Sequence, residues 1–181
     1  MQSESLEFSL LSIFSFLSFF TFFIIQKFSH KILGGSLYDN EFDKPQAFHK
    51  SDIPRSGGLA CIISFFIFVL LNNLLFSTFY LDYLVLGSGL FLIGFLDDIK
   101  FRISPKSRLI LMTTFLLIFV KVFSIKIIGI DFIFLNQILS IKIIYFSFII
   151  LCFLFIINGS NLIDGFNGLL AFQLIIINSI L

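Results

Sequence analysis

Asn158, Asn161 and Asp164 follow one another at intervals of three in the stretch Asn158-Gly-Ser-Asn161-Leu-Ile-Asp164-Gly165-Phe-Asn167-Gly168, between the apolar runs Ile143–Ile157 and Leu169–Leu181. Amides and a carboxylate between two such runs are costly in or near a bilayer, and a carboxylate at that depth is read as functional by default. The amides suit hydrogen bonding to a nucleobase or sugar, and Asp164 suits contact with a metal or a hydroxyl. The spacing places the three side chains along a slanted ridge where the turn is helical. Gly159, Gly165 and Gly168 argue against a continuous ideal helix, and broken backbone at this depth is tolerated where it lines a polar cavity.

A second polar island closes the run Tyr83–Leu96. It reads Gly94-Phe-Leu-Asp97-Asp98-Ile-Lys100-Phe-Arg102-Ile-Ser104-Pro105-Lys106-Ser107-Arg108. Adjacent carboxylates at a helix end can hold a hard divalent cation through oxygen ligands. Neighbours on a helix project about 100° apart, so they do not act as a matched pair. One can face a metal or a phosphate proton while the other orients a nearby cation. An interfacial acidic cap neutralised by Lys100 and Arg102 accounts for one aspartate better than for two.

The third island, His49-Lys50-Ser-Asp52-Ile-Pro54-Arg55-Ser-Gly57-Gly58, leads into another apolar run. Lys50 and Arg55 supply cations suited to phosphate. Pro54 fixes φ, and the paired glycines permit close backbone approach to a ligand. Without the other two islands this stretch is an ordinary basic loop. Together the islands offer carboxylates, cations and mobile backbone, a mixture suited to a metal-bound diphosphate whose charge shifts during reaction.

The elements that must position these groups are membrane helices. Only 13% of residues are charged and 58% are hydrophobic, with a mean hydropathy of +1.07. Soluble domains carry about 25% charged residues, which excludes an ordinary soluble globule. A net charge of +1 and the absence of any basic–aromatic surface exclude nucleic acid as a partner. Cys61 and Cys152 sit singly inside apolar runs, without metal-binding or redox spacing. Glu4 and Glu7 replace the basic start of a signal peptide, so the first apolar run is expected to be a retained span.

Six runs are long enough to be considered: Phe8–Ile25, Leu59–Phe76, Tyr83–Leu96, Leu109–Val120, Ile143–Ile157 and Leu169–Leu181. Crossing takes about 20 residues, and the fourth run needs Lys121 to snorkel. The expected fold is all-α, a polytopic membrane bundle of about six transmembrane helices forming a single domain over residues 1–181. Nine of the twelve basic residues fall in 26–58 and 97–108. The positive-inside rule places both segments in the cytoplasm, and the parity of the spans places 158–168 with them. Residues 124–140, rich in β-branched and aromatic side chains around Gly129 and Asp131, predict a short hairpin on the other side.

These motifs, in this order, resemble the polyprenyl-phosphate N-acetylhexosamine-1-phosphate transferases, the superfamily of MraY and the WecA/TagO-type enzymes. The likeness rests on Pro54-Arg55-Ser-Gly57-Gly58, on Asp97-Asp98 with Ser104-Pro105-Lys106-Ser107-Arg108, and on Asn158 through Leu169, and it extends from about Asp43 onward. It implies transfer of N-acetylhexosamine-1-phosphate from a UDP-N-acetylhexosamine to polyprenyl phosphate, with release of UMP. Mg²⁺ is the implied cofactor, with Mn²⁺ as the alternative. Asp97 and Asp98 are the implied catalytic residues and, with Asp164, the metal ligands. Lys50, Arg55, Arg108, Asn158, Asn161 and Asp164 are the implied substrate contacts. A bacterial inner-membrane protein, homodimeric and with a cytoplasmic site, goes with that reading, and WecA/TagO-like initiation of a surface polysaccharide is favoured over the MraY branch.

Two features depart from the family. Asn167 stands where an Asp-Gly-x-Asp-Gly motif carries its second aspartate, and the sequence ends within an apolar run before a later aspartate loop and a histidine-rich loop. An N-terminal half of a longer enzyme is therefore expected. Three rivals remain. A UbiA-like prenyltransferase needs a second Asp-x-x-x-Asp-type cluster. A CDP-alcohol phosphotransferase needs an alanine-arginine pair after its Asp-Gly. A transporter needs carboxylates near mid-span, whereas these stand at span ends.

Overall fold

A computed structural model describes residues 2–35, 38–39, 52–99, 103–127, 132–164 and 169–180. The chain divides into two compact units, Met1–Arg108 and Leu109–Leu181. Its elements are α1 (Gln2–Phe28), β1 (Tyr38–Asp39), β2 (Ile53–Pro54), α2 (Gly57–Phe76), α3 (Leu81–Asp98), α4 (Pro105–Val122), α5 (Ile133–Leu139), α6 (Lys142–Asp164) and α7 (Leu169–Ile180). The expected all-α character holds. Three stretches are long and apolar enough to cross a membrane: Leu10–Phe28, Gly57–Phe76 and Lys142–Ser160; Leu81–Leu96 and Leu169–Ile180 are shorter apolar helices.

Each helix shows how a chain manages polar groups in an apolar solvent. Backbone groups there must be satisfied within the segment, which selects helix. Hydroxyls do the same by folding back onto the carbonyl one turn earlier. Ser15 and Thr21 donate to the carbonyls of Leu11 and Leu17, both at 2.7 Å. Ser88 donates to Leu84 at 2.6 Å, and Thr113 and Thr114 to Leu109 and Ile110 at 2.8 Å. The outward apolar faces are extensive: Phe16, Phe19, Phe172 and Ile175 are all more than half exposed. Apolar surface of that extent is not stable in water and suits lipid.

In the first unit, α1 packs on α2, with the rings of Phe14 and Phe68 edge-to-face at 4.9 Å. The link from α2 to α3 is short, and Ser77 makes it possible. Its backbone is left-handed (φ 54°), and its N–H closes on the Asn73 carbonyl at 2.9 Å. Asn72 then clamps the turn by donating to the Thr78 hydroxyl at 2.6 Å. So short a turn forces α3 back along α2. At Gly87 a Cβ would come within 3.3 Å of the Phe65 ring, and at Gly58 within 3.8 Å of the Phe91 ring. These two contacts establish the antiparallel register. The two-residue strands pair Tyr38 with Pro54 and Asp39 with Ile53, tying the loop back just before α2.

In the second unit, α4 buries Met112, Leu116, Phe119 and Val120, a stripe recurring every three to four residues. α5 and α7 each pack on α6. The hairpin expected over 124–140 is overturned at 133–139, which forms α5. Ile133, Phe134 and Ile138 favour strand locally, but Leu135 and Leu139 are four apart and share a helix face, and Leu139 is buried. Tertiary packing thus overrides β-propensity. The expectation of interrupted helix around Gly159 is also corrected: α6 runs unbroken to Asp164. Asn158 donates its side-chain N–H to the Leu154 carbonyl at 2.8 Å, which satisfies a polar donor within the helix.

Candidate active site

The α2–α3 hairpin brings two of the three islands together. With the helices antiparallel, the start of α2 (Arg55, Gly57, Gly58) and the end of α3 (Asp97, Asp98) lie at one end of the first unit. Six residues join α3 to α4, and an extended chain of that length spans about 20 Å, so Ser104 stays within that reach of Asp98.

The first turn of α4 explains why its basic residues follow a serine and a proline. Ser104 is the N-cap: its hydroxyl accepts the Ser107 N–H at 3.2 Å and lies 2.9 Å from the Ser107 hydroxyl. Pro105 occupies the first helical position, where its missing N–H costs nothing. The Ser104 carbonyl accepts the Arg108 N–H at 3.0 Å. The cap thereby fixes where Lys106 and Arg108 leave the backbone; Lys106 is exposed and Arg108 half-buried. The Ser104-Pro105 pair is a helix-start signal legible in the sequence.

The charges at this end run against the helix dipoles. A helix start is partially positive and favours acids, whereas a helix end favours bases. Asp82, in the first turn of α3, obeys the rule. Asp97 and Asp98 break it, standing at the negative end of α3 with no base in its last turn. Lys106 and Arg108 break it at the positive start of α4, whose first turn has no acid. The start of α2 has no acid in its first turn and no side-chain cap from Ser56, and half-buried Arg55 precedes it. Gly57 adds no bulk there, since a Cβ would meet nothing within 4 Å. One end thus gathers two acidic residues at a helix end and basic residues at two helix starts. That set of charges suits a divalent cation bridged to a phosphate chain.

The glycine pair is itself a small correction: Gly57 and Gly58 begin α2 and do not form a loop. Asn158, Asn161 and Asp164 occupy the C-terminal end of α6 in the second unit, and Asn158 is half-buried. Asp164 also stands at a negative helix end with no base in the last turn. Lys50 and residues 165–168, Asn167 among them, lie outside the described residues, as do the side chains of Asp97, Asp98, Asn161 and Asp164. Among the described residues no group of three His, Cys, Asp or Glu side chains forms a ready metal site. Asp97 and Asp98, at the dipole-negative end of α3, are oxygen donors, the kind that suits a hard divalent ion.

Residues 80–181 match the family model for glycosyl transferase family 4. The matched region contains the Asp97-Asp98 and Asn158–Asp164 motifs and begins beyond the Pro54-Arg55-Ser-Gly57-Gly58 loop, so it is narrower than the resemblance drawn from sequence. No curated protein and no solved structure matches the chain. The matched region is more than half of the chain, and the protein accordingly belongs to glycosyl transferase family 4, as a membrane-embedded transferase of phosphosugars.

Proposed function

We propose that the protein transfers N-acetylhexosamine-1-phosphate from a UDP-N-acetylhexosamine to a polyprenyl phosphate, releasing UMP, at the cytoplasmic face of a bacterial inner membrane. In this reaction a phosphate oxygen of the carrier forms a bond to the β-phosphorus of the nucleotide sugar. The bond between that phosphorus and the bridging oxygen breaks, and the electron pair leaves with UMP. The observation that carries the reading is the reversed charge at one hairpin end: Asp97 and Asp98 on the negative end of α3, and Arg55, Lys106 and Arg108 at helix starts beside it.

Asp97, Asp98 and Asp164 would hold Mg²⁺, or Mn²⁺, which neutralises phosphate charge as it moves to the leaving group. One of the adjacent aspartates orients the attacking phosphate or takes its proton. Arg55, Lys50 and Arg108 bind phosphate oxygens, and Asn158 and Asn161 hold the nucleotide or sugar. In this proposal the end of α6 joins the hairpin end in a single chamber within a bundle of about six spans. The apolar helix faces accept the carrier chain. The basic loops favour a cytoplasmic chamber by the positive-inside rule.

The test is exchange of labelled UMP into UDP-N-acetylglucosamine by membranes containing the protein in its full natural length, with polyprenyl phosphate supplied. Asp97→Asn and Asp98→Asn are each expected to lower exchange by two or more orders of magnitude, the scale of losing a principal electrostatic group. Near wild-type exchange in both variants rejects the site.

A further inference from the structure

At the opposite end of α6 from Asp164, three lysines line a cavity that the proposed transfer reaction does not use. The cavity has a volume of about 590 Å³ and lies wholly in the second unit, between the end of α4 and the start of α6. Lys121, Lys126 and Lys142 line it, with Tyr145 and the apolar side chains of Leu117 and Phe146. All three lysines are exposed, and among the described residues none has an ion-pair partner.

The loop that carries Lys126 is held in place. Ser124 adopts a left-handed turn (φ 50°), and the Ile127 N–H donates to the Tyr145 hydroxyl at 2.7 Å. That bond fastens the loop to α6 one residue beyond Lys126. Lys142 stands at the start of α6, where the dipole is already positive and no acid occupies the first turn. The potential there is therefore doubly unbalanced. The same residue begins the membrane-crossing stretch Lys142–Ser160, which places its ammonium at headgroup depth. Leu117 is half exposed and Phe146 partly exposed, so the cavity has an apolar wall on its membrane side.

We propose that this cavity is a binding site for an anionic phospholipid. The ammonium groups of Lys121, Lys126 and Lys142 hold its phosphoryl headgroup, and Leu117 and Phe146 receive the upper part of its acyl chains. Three cations lining one cavity select negative charge, and the apolar wall selects a lipid over free phosphate. The site lies at the opposite end of α6 from the amide–aspartate island, so its occupant is a structural lipid and not a substrate.

The test is native mass spectrometry of the full-length protein, delipidated in neutral detergent and titrated with phosphatidylglycerol, phosphatidylcholine or inorganic phosphate. Phosphatidylglycerol is expected to be retained on the order of tenfold better than phosphatidylcholine. Each single Lys→Gln change among the three should lower its retention about fivefold, the scale of one basic residue near an anionic surface. Lys27→Gln with Lys31→Gln, which removes two bases in the first unit, should leave retention unchanged. Equal retention of the two lipids by the wild-type protein overturns the proposal, whatever the variants do. So does loss of selectivity in the Lys27/Lys31 variant alone. Displacement of phosphatidylglycerol by millimolar inorganic phosphate would assign the cavity to free phosphate and overturn the lipid.

Discussion

Lys142 opens α6 and Asp164 closes it, about 33 Å apart along one unbroken helix, each at the end where the dipole disfavours its charge. Exchanging the two signs would suit the helix better. Each charge therefore has a partner to find outside the helix. Asp164→Asn should stabilise the metal-free protein in detergent by about 0.3–1 kcal/mol, since an unfavourable charge–dipole contact disappears. The same change should abolish UMP exchange. Thermal unfolding read beside activity separates this from simple misfolding, because a misfolded variant loses both. A destabilised Asp164→Asn would mean that a protein group already neutralises the carboxylate.

Removal of divalent metal gives a second expectation. The end of α3 joins two acidic residues without a base in its last turn. Chelation should stop exchange fully and reversibly. Mg²⁺ and Mn²⁺ should both restore it, and Ca²⁺ poorly, because a larger and more loosely coordinated ion positions a diphosphate less well. Asp97→Asn and Asp98→Asn should raise the Mg²⁺ concentration needed for half-maximal activity, wherever residual exchange can be measured. Unchanged activity after exhaustive chelation counts against the metal and leaves the family membership intact.

Ser104 offers a test of positioning. Its hydroxyl caps α4 through the Ser107 N–H. Ser104→Ala removes a cap worth about 1 kcal/mol and loosens the turn that carries Lys106 and Arg108. The expected signature is a several-fold rise in KM for the nucleotide sugar with a smaller fall in kcat. Ser104→Asp, which also caps, should restore thermal stability and leave KM raised, since its carboxylate cancels the positive charge that attracts phosphate. Full kinetic rescue by aspartate would make Ser104 a purely structural cap.

How much of this was legible in sequence follows from the length over which each signal acts. The six apolar runs correspond to α1, α2, α3, α4, α6 and α7 because a dozen or more consecutive apolar residues have few other solutions in lipid. The meeting of the Arg55 and Asp97-Asp98 islands could be inferred as well, since the short link at Ser77–Tyr80 leaves α3 only an antiparallel return. Helix α5 was not legible: Ile133 and Phe134 are strand-formers, and only packing on α6 decides their state. Nor was the continuity of α6 past Gly159, since glycine weakens a helix without forbidding it. The pairing of Tyr38 with Pro54 is two residues long, too short for any alternation to announce it.

The geography of the charges supplies the last prediction. The starts of α2 and α4 and the end of α3 share one end of the first unit, and most of the basic residues fall in the segments attached there. Lys126 lies in the loop after α4, on the other side of that helix from Ser107. In a background with Cys61→Ser and Cys152→Ser, single cysteines at Ser107 and Lys126 should label oppositely with a membrane-impermeant maleimide. The Lys126→Cys protein should react in intact spheroplasts, and the Ser107→Cys protein only after permeabilisation. The physical reason is that α4, 18 residues long, reaches about 27 Å, close to the thickness of a hydrocarbon core. Labelling of both positions from the same side would show that α4 does not cross. The parity that sends Asp164 back to the face holding Asp97 and Asp98 would then fail, and the proposed single chamber with it.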